Sequence, residues 1–150
     1  MKHAHQKARG KEMKVHMQVE RKLFKENENI FDIMQSSDGV YLIVSGEVAI
    51  YSKQGIVLAR LGEGEMFGEM SIVTGDHVRK TRAVATKSTT IDKIDSSLMQ
   101  KKLEESDPVL RALTRTLTYR LSDANELNES LSLQLQVFKN LSANDIKKTP

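Results

Sequence analysis

The chain has 150 residues, carries 23 Lys and Arg against 20 Asp and Glu for a net charge of +3, and contains no cysteine. That length suits one domain, which buries roughly 70% of the surface its unfolded chain exposes and so forms a core without staples. The composition excludes disulfides, thiolate metal sites and a cysteine nucleophile, and no apolar run approaches the ~20 residues of a membrane-spanning helix.

Residues 1–14 predict a frayed basic arm. The positive excess gathers there and just beyond, at Lys2, Lys7, Arg9, Lys11, Lys14, Arg21, Lys22 and Lys25, partly offset by Glu12 and Glu20. A solvated tail accounts for it better than an arm for nucleic acid or acidic lipid. It has no apolar core and no cleavage-like site, so the expectation is no signal peptide and a cytoplasmic protein.

From about residue 15 to 95, short apolar runs are broken by turn residues. Val40 to Val44 ends at Ser45-Gly46, Val48 to Tyr51 ends at Ser52 to Gly55, and Ile56 to Ala59 follows. Ala83 to Ala85 and Ile91 to Ile94 are further strands. β-Branched residues and punctuating glycines predict many short antiparallel strands folded as a barrel or double sheet. Residues from about 96 to 141 change to a helical period. Asp107-Pro108 is a good start, an N-cap followed by a first-turn proline. Leu110, Leu117, Ala124, Leu131 and Phe138 then fall seven apart, with Leu113, Leu127 and Leu141, and Leu121 and Leu135, beside them. The first half of this seam is expected to pack on the barrel. From about Leu127 a partner helix in a homodimer explains it better, although Arg120, Asn128 and Gln134 interrupt the repeat. Residues 15–141 thus form one domain, and 142–150 a tail.

The segment Leu61 to Ala85 carries the chemistry. Gly62, Gly64 and Gly68 precede Glu69, and a short apolar turn from Met70 to Val73 follows. Glycines let backbone N–H groups come close to a ligand, and a helical turn after them favours an anion. Arg79 lies ten residues past Glu69, within the run Arg79-Lys80-Thr81-Arg82. An arginine fork donates two parallel hydrogen bonds to a phosphate, and a carboxylate accepts from sugar hydroxyls. These parts describe a pocket for a sugar phosphate.

Phe67-Gly68-Glu69-Met70-Ser71-Ile72, then Arg79, then Ala83-Val84-Ala85, resembles the phosphate-binding cassette of cyclic-nucleotide-binding domains. Phe24 to Phe31 resembles the family's F-x-x-G-E-x-I-F opening, with Asn27 in place of the usual glycine, and Val40 to Val48 resembles its Y-x-I-x-x-G-x-V strand pair. The resemblance spans about residues 20 to 130. It implies a mainly β fold with α, a double-stranded β-helix (jelly-roll-like) barrel followed by a long C-terminal helix. It implies that Glu69 accepts from the ribose 2′-hydroxyl, that Arg79 pairs with the cyclic phosphate, and that Gly68, Met70 and Ser71 contribute backbone groups. The helix after the barrel closes the pocket in this family, which makes Asn125 the side chain expected at the purine. Val78 stands where the family often has proline, and Lys80, Thr81 and Arg82 replace its small residues. Lys80 holds the place of a hydroxyl that helps bind the phosphate, Thr81 substitutes if the loop shifts by one residue, and Arg82 is long enough to reach a base or a second phosphate. Cyclic AMP is favoured over cyclic GMP as a family prior.

The expected function is a sensor that switches its C-terminal helix or dimer when ligand binds and passes the signal to an output protein the sequence does not identify. Catalysis is not expected. The histidines are His3, His5, His16 and His77, three of them in the N-terminal region, and no metal ligand set or catalytic triad has a supporting context in the barrel. DNA binding by this chain alone is not expected either, because fewer than ten residues past Leu141 cannot hold a helix-turn-helix. The alternatives are a ligand-less dimerisation or docking module, and a sensor for another nucleotide second messenger.

Overall fold

The computed structural model of the chain describes residues 19–146; the expected basic arm over 1–14 and the last four residues lie outside them. Eight strands run in chain order: β1 (Val19–Phe24), β2 (Asn29–Phe31), β3 (Gly39–Ser45), β4 (Val48–Tyr51), β5 (Val57–Leu61), β6 (Met66–Phe67), β7 (Arg82–Ala85) and β8 (Thr89–Asp95). The helix α1 (Met70–Thr74) falls between β6 and β7, and α2 (Ser96–Glu104) and α3 (Pro108–Ile146) follow β8.

The strands form two four-stranded antiparallel sheets, in the orders β1-β8-β3-β6 and β2-β7-β4-β5. Alternate residues of β7 and β8 point inward, Ala83 and Ala85 from the first and Thr89 and Ile91 from the second, and Tyr41 and Ile43 from β3 are buried with them. Tyr41, Ile43, Ala83 and Ile91 join Phe31, Val48 and Phe67 in the core between the sheets. Phe31, Tyr41 and Phe67 stack against one another, with ring centres 5.2 to 6.0 Å apart.

The chain crosses from one sheet to the other at Gly46. Its φ is +100°, and a Cβ there would lie 2.4 Å from the Thr89 Oγ1, so only glycine fits. Asn27, which stands where the family has glycine, also has a left-handed φ of +66°. Asparagine is the side chain that tolerates this conformation best, so the replacement keeps the turn.

The helical zone divides at Asp107-Pro108, where the long helix was expected to start. Asp95 caps α2 by accepting from the Ser97 N–H at 2.8 Å. Asp107 restarts α3, accepting from Val109 N–H at 2.8 Å and Leu110 N–H at 3.3 Å. Proline at 108 disfavours a helical residue just before it, which is why the two helices are separate. α3 runs on to Ile146, past the expected end near 141. Its 39 residues make a rod about 58 Å long at 1.5 Å per residue. No helix among the described residues is long and apolar enough to cross a membrane.

α3 crosses the barrel against α1 and β5. The face it turns to them differs from expectation. Thr118 is buried, and Ser122, Asn125 and Glu129 are half-buried, at the three- and four-residue spacing of one helix face. The apolar seam is exposed in its first half as well as its second, Leu110 58%, Leu117 55% and Phe138 71%, and only Leu121 at its edge reaches the cavity. The reason lies in what α3 covers. It roofs a cavity whose wall combines apolar side chains such as Ile50, Leu58 and Leu61 with Glu69, Arg79 and Lys80, and α3 adds Leu121, Ser122, Asn125 and Glu129 to it.

Candidate functional site

The cavity has a volume of about 340 Å³ and lies between the barrel and α3. Gly68, Glu69, Met70, Ser71, Arg79, Lys80 and Thr81 line it from the barrel side, and Asn125 lines it from α3. Eight of the nine side chains singled out in the sequence therefore meet at one place. Arg82 does not line it. It begins β7, and its guanidinium carbon lies 5.0 Å from the centre of the Tyr51 ring, its partner across the β4–β7 pair.

Arg79 is held from several directions. Its backbone N–H donates to the Gln35 carbonyl at 2.8 Å, and its own carbonyl accepts from the Met34 N–H at 2.9 Å. The side chain is 2% exposed. Nη1 donates to the Gly68 carbonyl at 2.8 Å and to the Ser71 hydroxyl at 3.3 Å, and Nη2 donates to the Gly39 carbonyl at 2.5 Å. The guanidinium carbon sits 4.4 Å from the centre of the Phe31 ring, close enough for a cation–π contact. Asp38 Oδ1 lies 3.5 Å from Nη2. Burial raises the Asp38 carboxyl, but the bond and charge of Lys93, with the Tyr41 hydroxyl, hold it below the ordinary carboxylate range.

Gly68 makes this arrangement possible. Its φ is +78°, and a Cβ there would lie 2.8 Å from Arg79 Nη1. Ser71 adds a hydroxyl pair beneath the floor, its Oγ 2.5 Å from that of Ser37. Glu69 stands at the N-terminus of α1 but makes no side-chain capping bond there, while its carbonyl accepts from Ile72 and Val73. Burial pushes its carboxyl above the usual glutamate range, partly offset by a backbone hydrogen bond and by the charge of Arg79.

Lys80 is engaged at the rim, 2.8 Å from Asp76 Oδ2, which also accepts from the Thr74 hydroxyl at 2.8 Å. The Lys80 bond holds the Asp76 carboxyl below its ordinary value. Two buried side-chain atoms among the described residues have no hydrogen-bond partner, Arg79 Nε and Glu129 Oε1, and both residues line this cavity. No three His, Asp or Glu side chains among the described residues gather where a metal ion could sit.

Several contributors escaped sequence reasoning. Gly39 at the start of β3 and Ser37 just before it hold Arg79 and Ser71 from 40 and 34 residues upstream, and Asp38 adds the ion pair. Glu129 lies one turn beyond Asn125 on the same face of α3. The i, i+3, i+4 spacing of Thr118, Ser122, Asn125 and Glu129 was a readable signal for a polar helix face. Nothing in the sequence said that this face meets the barrel.

The fold and cassette define a class. The model of the cyclic nucleotide-binding domain matches residues 21–106, and the chain belongs to that family. Among solved structures, the cAMP and cyclic-di-GMP bound form of the EAL enzyme Bd1971 is similar at 25% identity and a TM-score of 0.64, over 83% of this chain and 35% of that one. The chain thus spans about a third of the length of Bd1971, which has also been solved in cAMP-bound and cGMP-bound forms. The sensor domain of the regulator DNR from Pseudomonas aeruginosa shares the fold at 20% identity and a TM-score of 0.63, over 71% of this chain and 77% of that one. So does the regulatory subunit of a cAMP-independent protein kinase A from Trypanosoma brucei, at 18% identity and a TM-score of 0.59, over 71% and 39%. No curated protein sequence matches the chain.

Proposed function

We propose that this domain is a cytoplasmic sensor that binds a cyclic purine nucleotide and catalyses no reaction of its own. The phosphate lies against Arg79, and the ribose hydroxyl donates to Glu69, with the backbone of Gly68, Met70 and Ser71 around them. Lys80 and Thr81 stand at the rim, and Asn125 faces the base. One observation carries this reading. Arg79 is buried to 2% exposure at the cavity with its Nε–H unpartnered, and Glu69 lines the same cavity free of any capping bond. An unpaired buried donor costs about 1–3 kcal/mol, which an acceptor on a ligand removes. The cAMP-bound and cGMP-bound forms of Bd1971 support the ligand class.

The output runs through α3, which forms one wall of the cavity and presents its apolar seam to a second copy of the chain. Ligand contact with α3 favours one of its positions and so shifts its population, by no more than the difference in affinity between positions. The competing reading is a ligand-less docking module. The observation in its favour is that both Nη atoms of Arg79 are already taken up by the protein. Thermal melting with cAMP and cGMP separates the two. A true ligand at 100 to 1,000 times its dissociation constant adds about 3–4 kcal/mol of stability. No shift with either nucleotide at millimolar concentration would leave the docking module standing.

A further inference from the structure

We infer that Lys80 is a positioning residue for α3. It stands between two carboxylates on opposite walls of the cavity, Asp76 in the loop after α1 and Glu126 on α3, and its hold on Glu126 keeps the helix over the mouth. All three side chains line the cavity. Lys80 Nζ lies 2.8 Å from Asp76 Oδ2, which the Thr74 hydroxyl also fixes at 2.8 Å. Glu126 falls four residues after Ser122 and three before Glu129, at the edge of the face that α3 turns to the barrel. Among the described residues it has no ion pair of its own, and no ion pair joins α3 to the barrel. Its charge nevertheless reaches Lys80. The hydrogen bond and charge of Asp76 raise the Lys80 ammonium above its ordinary value, and the charge of Glu126 adds to them.

The residue types suit a link between two elements. A lysine ammonium carries three donors on a flexible four-carbon stem, so one bond to Asp76 does not exhaust it. A hydroxyl at this place is too short to leave the cassette; lysine is long enough to cross toward the helix. Asp76 and Glu126 thus compete for one cation. Weakening Asp76 tightens the hold on α3, and removing Lys80 or Glu126 loosens it. The competition is present whichever ligand the cavity takes, so it is read on the chain without ligand.

The test is hydrogen exchange of the full ligand-free chain along α3 from Thr118 to Glu129. Lys80→Met and Glu126→Gln should each speed exchange about two- to five-fold, the amount an exposed ion pair supplies. The double variant should exchange no faster than either single one, because both remove the same link. Lys80→Arg should stay near the wild type. Asp76→Asn should slow exchange, because the ammonium is then left to Glu126; a merely structural role for the Lys80–Asp76 bond predicts the opposite sign. Additive effects in the double variant, or an Asp76→Asn helix that exchanges as fast as the wild type or faster, overturns the inference. Neither result bears on the sensor reading, which stands or falls on nucleotide binding.

Discussion

The two walls of the cavity are built on opposite terms. On the barrel side the key cation is fixed before any ligand arrives. Arg79 is pinned at its backbone by Met34 and Gln35, at its fork by the Gly39 and Gly68 carbonyls, and from below by Phe31. On the helix side a single long rod supplies the polar groups, and its far face is an uncovered apolar seam. The barrel wall is preorganised and its parts depend on one another. The helix wall depends on one element, whose position decides whether the cavity is closed. A rigid wall gives affinity and chemical selection, and a wall made by one element is where a ligand can change the shape that a partner sees.

The largest expected effect breaks the barrel wall. Arg79→Ala strips the Gly39 and Gly68 carbonyls of their donor and empties the space over Phe31. A truncated buried charge pair costs about 2–5 kcal/mol, so both nucleotide affinity and the melting temperature should fall. Arg79→Lys separates the two roles: it keeps the charge but not the planar fork, so it should still bind no better than weakly. A variant that melts like the wild type and loses only binding would show that the hydrogen bonds to Gly39 and Gly68 add nothing to the fold.

The next effect falls on the helix wall. If the seam pairs two copies as proposed, Leu117→Glu or Leu131→Glu places a charge in it and should convert the wild-type dimer to a monomer, read by analytical ultracentrifugation. Neither side chain meets the barrel, so thermal unfolding of the monomer should change by no more than about 0.5 kcal/mol. A wild type that is itself a monomer, or unchanged mass in both variants, would remove the seam as a self-association surface.

A smaller effect tests Glu69. Its folded carboxyl titrates above the unfolded one because of burial, so the folded state binds protons more tightly in the window just above the ordinary glutamate range. Stability contributed by this group therefore falls as pH rises through that window. Glu69→Gln should raise the ligand-free melting temperature at neutral pH, and the gain should vanish as pH drops below the raised value. Ligand affinity should run the other way, weakest in the variant and, in the wild type, weakening as the carboxylate takes up a proton. The smallest effect belongs to Arg82→Ala. Its loss of a contact with Tyr51 should cost about 0.5–1 kcal/mol of stability at most, with nucleotide affinity changed by less than about three-fold.

The sequence and the structure agree most where a short-range rule was at work. Short apolar runs bounded by turn residues marked β3, β4, β5, β7 and β8, and Asp107-Pro108 marked the start of α3. β2 and β6 have three and two residues, too few for a period to show. The cassette motif found Gly68, Glu69 and Arg79, but not how deeply Arg79 is set, because its acceptor Gly39 lies 40 residues away along the chain. The seven-residue repeat of α3 was legible, while its orientation was not. Periodicity identifies an apolar face without saying what covers it, and here the polar face meets the barrel. Glu129 reads in sequence as one more solvated helix carboxylate; only the packed helix buries its Oε1 without a partner.

Hydrogen exchange of the full chain, with and without saturating cyclic AMP, tests most directly whether the two walls are coupled. The expected result is slower exchange both in the loop from Gly68 to Arg79 and along α3 from Thr118 to Glu129. Protection confined to the loop, with α3 exchanging at the same rate in both states, would contradict it: the nucleotide would then be held by the barrel wall alone, and α3 would carry no signal.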